Sequence, residues 1–168
     1  MQEKQIVLSG QLINYLTNDL LNPAAPSVVF LHGWGADAKS WLGVMEKFQD
    51  CNCYAPDLPG FGKSVKPKSV FTVGDYAEVV KGFVDGLGLN NLTLVGHSFG
   101  GRIAIKYCAK NQTKKLVLVD SAGFRDDSTA KFLKITLAKI AKPLVPSGLR
   151  RKMAKALGAG DYAESGEL

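Results

Sequence analysis

The chain has 168 residues, of which 46% are hydrophobic and 21% charged, and its mean hydropathy is +0.01. Those values exclude a disordered chain and a collagen-like repeat, and they suit one globular domain with a real core. Lys and Arg exceed Asp and Glu by 21 − 15, or six charges, and the excess is uneven. No acid stands between Asp127 and Asp161, while Lys131, Lys134, Lys139, Lys142, Arg150, Arg151, Lys152 and Lys155 do. Such a segment can steer an anionic substrate, but a solvated helix face is the simpler reading. No nucleic-acid-reading motif accompanies it, so no nucleic-acid partner is expected.

No apolar run approaches the roughly 18–20 residues of a spanning helix, and Met1–Lys4 lead into a strand-like run without a secretory signal's apolar segment. A cytoplasmic chain without a membrane anchor is expected. Cys51, Cys53 and Cys108 are odd in number, and only two histidines are present. Neither a disulfide framework, nor a structural metal, nor a cofactor is expected.

In chain order, Gln5–Leu8 and Leu12–Leu16 read as two strands joined through Ser9 and Gly10, an antiparallel hairpin. Val28–Leu31, Asn52–Ala55, Leu92–Val95 and Lys115–Val119 read as further strands. They alternate with helical patterns: a weak one over Lys39–Phe48, a strong one through Tyr76, Val79, Val80, Phe83 and Leu87, and a third through Ile103, Ala104, Tyr107 and Cys108. Strand and helix in alternation predict an α/β fold with a doubly wound, mostly parallel sheet. After Asp120 that rhythm stops. Leu133, Leu137, Ile140 and Leu144 form one helical stripe, closed by Pro143 and Pro146. The expected division is a core over 1–123 and a helical segment over 124–168.

The informative chemistry is at Gly96-His97-Ser98-Phe99-Gly100, a G-x-S-x-G between a strand and a helix. A serine on that sharp turn is lifted above the carboxyl edge of the sheet, beside backbone N–H groups that can stabilise an oxyanion. A second turn, His32-Gly33-Trp34-Gly35, also follows a strand. The Trp34 N–H can join that of Phe99 as a second donor, with His32 as a structural brace. Asp57-Leu58-Pro59-Gly60-Phe61-Gly62-Lys63-Ser64 ends in Gly-Lys-Ser, but Asp57 stands where a phosphate-binding loop needs glycine. It reads as a rigid turn with Asp57 satisfied by backbone amides.

Together the three motifs resemble the α/β-hydrolase superfamily, in its branch of small esterases and carbon–carbon bond hydrolases of the meta-cleavage type. The resemblance runs from about Ile6 to Gly123. It implies Ser98 as nucleophile, the N–H groups of Trp34 and Phe99 as oxyanion hole, and Gly33, Trp34, His97 and Phe99 as substrate-binding residues. Leu116–Asp120 becomes the sixth core strand, Ser128 onward the start of a helical lid, and Asp120 a candidate triad acid as in some relatives. The substrate is a small acyl compound, with the basic segment favouring an acidic one. A serine in place of a carboxylate excludes the fold's haloalkane dehalogenases and epoxide hydrolases.

Serine needs a base, and no histidine follows Ser98. The chain therefore reads as the N-terminal part of a longer hydrolase, inactive alone, with its sixth strand an open edge that invites association. The competing reading is a non-catalytic binding module for small ligands on the same fold.

Overall fold

The computed structural model describes residues 1–20 and 22–121. The expected lid over 124–168, with its apolar stripe and basic residues, lies outside the described residues.

Strands β1 (Gln2–Leu8) and β2 (Gln11–Thr17) form the hairpin. Its two turn residues, Ser9 and Gly10, both have positive φ, +48° and +79°, which matches the right-handed strand twist at a two-residue turn. β1 begins three residues earlier than the apolar pattern indicates. Its polar start is held by pairing to β2, by a Lys4–Asp19 ion pair and by Lys63 donating to Glu3.

β3 (Ser27–Leu31), β4 (Asn52–Pro56), β5 (Thr93–His97) and β6 (Lys115–Val119) complete a six-stranded sheet of order β1-β2-β4-β3-β5-β6. β2 meets β4 antiparallel, and β4, β3, β5 and β6 run parallel. This is the expected α/β sheet, with β6 at an edge. β3 is buried on both faces, so its five residues need no polar alternation.

Helices lie on both sides. Between β3 and β4, the expected helix over Lys39–Phe48 is instead a 3-10 turn, Ala38–Trp41, and one α turn, α1 (Leu42–Met45). Gly43 weakens helix there, and Lys47 and Phe48 donate back only three residues, to Val44 and Met45. α2 (Val73–Gly86) starts at a capping box in which the Thr72 hydroxyl accepts from the Asp75 N–H and Asp75 accepts from the Thr72 N–H. α3 (Phe99–Cys108) follows β5 with only Ser98 between them.

Two apolar clusters sandwich the sheet. One joins Ile13, Tyr15, Val29, Leu31 and Leu94 to Val80 and Phe83 of α2 and Ile103 and Ala104 of α3. The other joins Val28, Phe30, Ala55 and Val95 to Trp41 and Met45. The larger cluster fixes α3 against the sheet, which places the residues at its N-terminus.

Candidate active site

The turn between β5 and α3 is set by sterics. Ser98 has φ +48° and ψ −110°, a region disfavoured for any residue with a Cβ. It persists because both flanks are too close for side chains. A Cβ on Gly96 would lie 2.6 Å from the Gly100 carbonyl oxygen, and one on Gly100 would lie 2.3 Å from that of Leu31. On Gly101 it would lie 2.2 Å from the Ser121 Oγ. The Ser98 N–H donates to the Val119 carbonyl at 3.1 Å, and its own carbonyl accepts from the Gly101 N–H at 3.1 Å.

Ser98 is also the N-cap of α3, yet its hydroxyl makes no capping hydrogen bond. Serine at an N-cap ordinarily spends its oxygen on the second or third helical N–H. Here the strained backbone holds the oxygen off that task, on a half-buried residue.

The turn after β3 lies directly against this one. A Cβ on Gly33 would meet the His97 ring at 3.0 Å and the Ser98 Cβ at 3.5 Å. Gly35, at φ +75°, and the Ala36 N–H donating to the Gly33 carbonyl at 3.3 Å close the turn. Gly33, Trp34, His97, Ser98 and Phe99 are thus brought together at the carboxyl edge of neighbouring strands.

His32 is fully buried and engaged at both nitrogens. Its Nδ1 lies 2.8 Å from the Gly33 carbonyl oxygen, and its Nε2 accepts the Leu58 N–H at 3.0 Å. That pattern fixes the neutral Nδ1–H tautomer, and burial pushes the imidazole below its ordinary pKa. The ring ties the turn after β3 to the turn after β4.

That third turn is organised by Asp57, which is 3% exposed. Its carboxylate accepts from the Ala38 N–H at 2.8 Å, the Lys63 N–H at 2.8 Å and the Asn14 amide at 3.0 Å. Ser64 donates to the Asp57 carbonyl at 2.6 Å and accepts from the Asn14 N–H at 2.9 Å. Gly62, at φ +52°, passes so close that a Cβ would overlap the carboxylate at 2.3 Å. The Gly-Lys-Ser sequence therefore wraps an anion of the protein itself.

Asp120 follows β6, with φ +43°. The Ser98 N–H bond to Val119 puts it one strand from Ser98 at the same edge. Among the described residues, no group of three or more His, Cys, Asp or Glu is arranged to hold a metal ion.

One feature of this edge escapes sequence periodicity. His32, Phe61, Trp34, Phe99, Tyr76 and Phe71 form an unbroken edge-to-face string, with centroids 5.1–5.5 Å apart and interplanar angles of 75–87°. Each such contact contributes about 0.5–1.5 kcal/mol beyond area burial. The sequence signals are an aromatic residue in the turns after β3 and β4 and beside Ser98, and Tyr76 on the apolar face of α2.

Residues 26–161 match the family model described as the alpha/beta hydrolase fold. The chain belongs to the α/β-hydrolase family. Over 112 residues it is 32% identical to an uncharacterised protein of Mycobacterium tuberculosis, covering 65% of this chain and 33% of that one. Over 86 residues it is 41% identical to the 2-succinyl-6-hydroxy-2,4-cyclohexadiene-1-carboxylate synthase of Salmonella agona, covering 49% and 32%. Among solved structures it is similar to a bacterial membrane phospholipase A, with a TM-score of 0.69 and 33% identity over 80% of this chain and 45% of that one. The α/β-hydrolase chain thus spans about a third of the length of the curated relatives it matches. No helix among the described residues is long and apolar enough to cross a membrane.

Proposed function

We propose that the protein is a serine hydrolase in which Ser98 attacks the carbonyl carbon of an ester, thioester or related acyl bond, or of a carboxylated diketone whose carbon–carbon bond is cut. The N–H groups of Trp34 and Phe99 receive the oxyanion. One observation carries the reading: a serine held at positive φ between strand and helix, with its hydroxyl not spent on the cap. Three unpaired cysteines fit a reducing, cytoplasmic setting.

Attack moves the hydroxyl proton to a base, and neither histidine of the chain is placed for that role. His32 uses both nitrogens structurally, and the His97 ring packs against Gly33 and Trp41. The base is therefore neither His32 nor His97, and Asp120, one strand from Ser98 at the same edge, is the candidate acid. The chain alone binds its substrate without efficient turnover. The same lack of a base favours a second reading, a small-ligand-binding module with no chemistry.

Imidazole in solution separates the two. If Ser98 is a nucleophile awaiting a base, imidazole accelerates its labelling by a fluorophosphonate, mass mapping places the adduct on Ser98, and Ser98→Ala removes it. Labelling of Ser98 no faster than of other serines supports the binding module instead.

A further inference from the structure

We propose that the indole of Trp34 is the surface on which the acyl part of the substrate rests, so that the site prefers flat aromatic acyl groups to short alkyl ones. The inference deepens the serine-hydrolase reading and takes its substrate orientation from it. Trp34 is 57% exposed, while its two ring partners, Phe61 and Phe99, are half-buried. A lone exposed apolar side chain is ordinary, but this one is not loosely held. Phe61 and Phe99 each meet it at 5.1 Å, at 77° and 85°, and two near-perpendicular neighbours fix the plane of the indole.

Its position is equally constrained. Phe99 directly follows Ser98, and Gly33, directly before Trp34, stands against the Ser98 Cβ. A carbonyl held at Ser98 therefore has its substituent within reach of the indole. Trp34 stands inside the string with Phe61 and Phe99 as its ring neighbours, and the part of the indole they leave uncovered is open to a third ring from a ligand. An aromatic group can meet the uncovered indole edge-to-face as Phe61 and Phe99 do, whereas a propyl chain supplies only contact area. His32, the string's one basic member, is pushed toward its neutral form by burial, so the string offers no cation to a carboxylate.

The test is binding to the ¹⁵N-labelled chain of two neutral esters, methyl phenylacetate and methyl butanoate. Trp34 and Trp41 are the only tryptophans; Trp41 is 7% exposed and serves as an internal control. The expected result is a shift of the Trp34 indole N–H signal, not that of Trp41, and roughly five- to tenfold tighter binding of the aromatic ester. Trp34→Leu removes that preference and Trp34→Phe restores most of it. Equal affinities, a preference surviving in Trp34→Leu, or no shift at Trp34 overturns the inference. If Trp34→Leu fails to fold, the wild-type shifts and Trp34→Phe decide. Fluorophosphonate labelling of Ser98, run in parallel, reports on the nucleophile separately: labelling without aromatic preference retains the hydrolase reading and discards this one.

Discussion

The turns after β4 and β5 stand at the same edge of one sheet and are held by opposite means. Around Asp57 the chain is shaped by polar bonds: a buried carboxylate gathers two backbone N–H groups and an amide, and Ser64 closes the loop. Around Ser98 it is shaped by close approach, because Gly96, Gly100 and Gly101 have no room for a Cβ. The first turn is stabilised by what its side chains bond, the second by what its side chains lack. Strain is thereby concentrated at the one hydroxyl that must stay unengaged.

Adding one methyl group breaks the steric turn most severely. Gly100→Ala forces a carbon to within 2.3 Å of the Leu31 carbonyl oxygen, so α3 must move off β3. We expect a loss of about 3 kcal/mol or more, read by urea denaturation. At the polar turn the isosteric Asp57→Asn leaves the volume unchanged but removes an acceptor, and a loss of ~2 kcal/mol is expected. A negligible loss for Asp57→Asn beside a large one for Asp57→Leu would show that volume, not bonding, shapes that turn too.

His32 joins the turns after β3 and β4, and its titration sharpens the contrast. Its folded pKa lies below the ordinary 6.5 because burial disfavours the imidazolium. The unfolded chain therefore binds the proton first as pH falls. The stability contributed by neutral His32 is fully present above about pH 6.5 and declines below it toward the folded pKa. His32→Gln should flatten that part of a stability-versus-pH curve, and an unchanged slope would remove His32 from this role.

The smallest effect is a chemical one on β4. Burial pushes the Cys53 thiol up to about 12, while Cys51 and Cys108 are partly exposed. A disulfide reagent at neutral pH should titrate two thiols quickly and the third only on unfolding. In Asp57→Asn, Cys53 should react sooner if that turn anchors the end of β4.

How much of this was legible in the sequence follows from the same contrast. The steric turn is written locally: G-x-S-x-G names the glycines that cannot carry a Cβ and the serine between them. The parallel strands and the two long helices were equally plain from their periods. The polar turn was legible only in part. Asp57 stood out and Ser64 lies in the same turn, but Asn14, 43 residues away, is brought to them by the β2–β4 pairing. The aromatic string is less local still, drawing on four separate stretches: 32–34, Phe61, 71–76 and Phe99. The helix expected over Lys39–Phe48 failed because its apolar spacing reported burial against Phe30, which a 3-10 turn and one α turn also achieve.

The central claim is that Ser98 is poised to attack a carbonyl whose oxygen is received by two backbone N–H groups. A crystal structure of the chain phosphonylated in the presence of imidazole tests it most directly. The account predicts phosphorus on the Ser98 Oγ, with the phosphoryl oxygen about 2.7–3.1 Å from the nitrogens of both Trp34 and Phe99. An adduct whose phosphoryl oxygen points to solvent, or one formed on another residue, would contradict it.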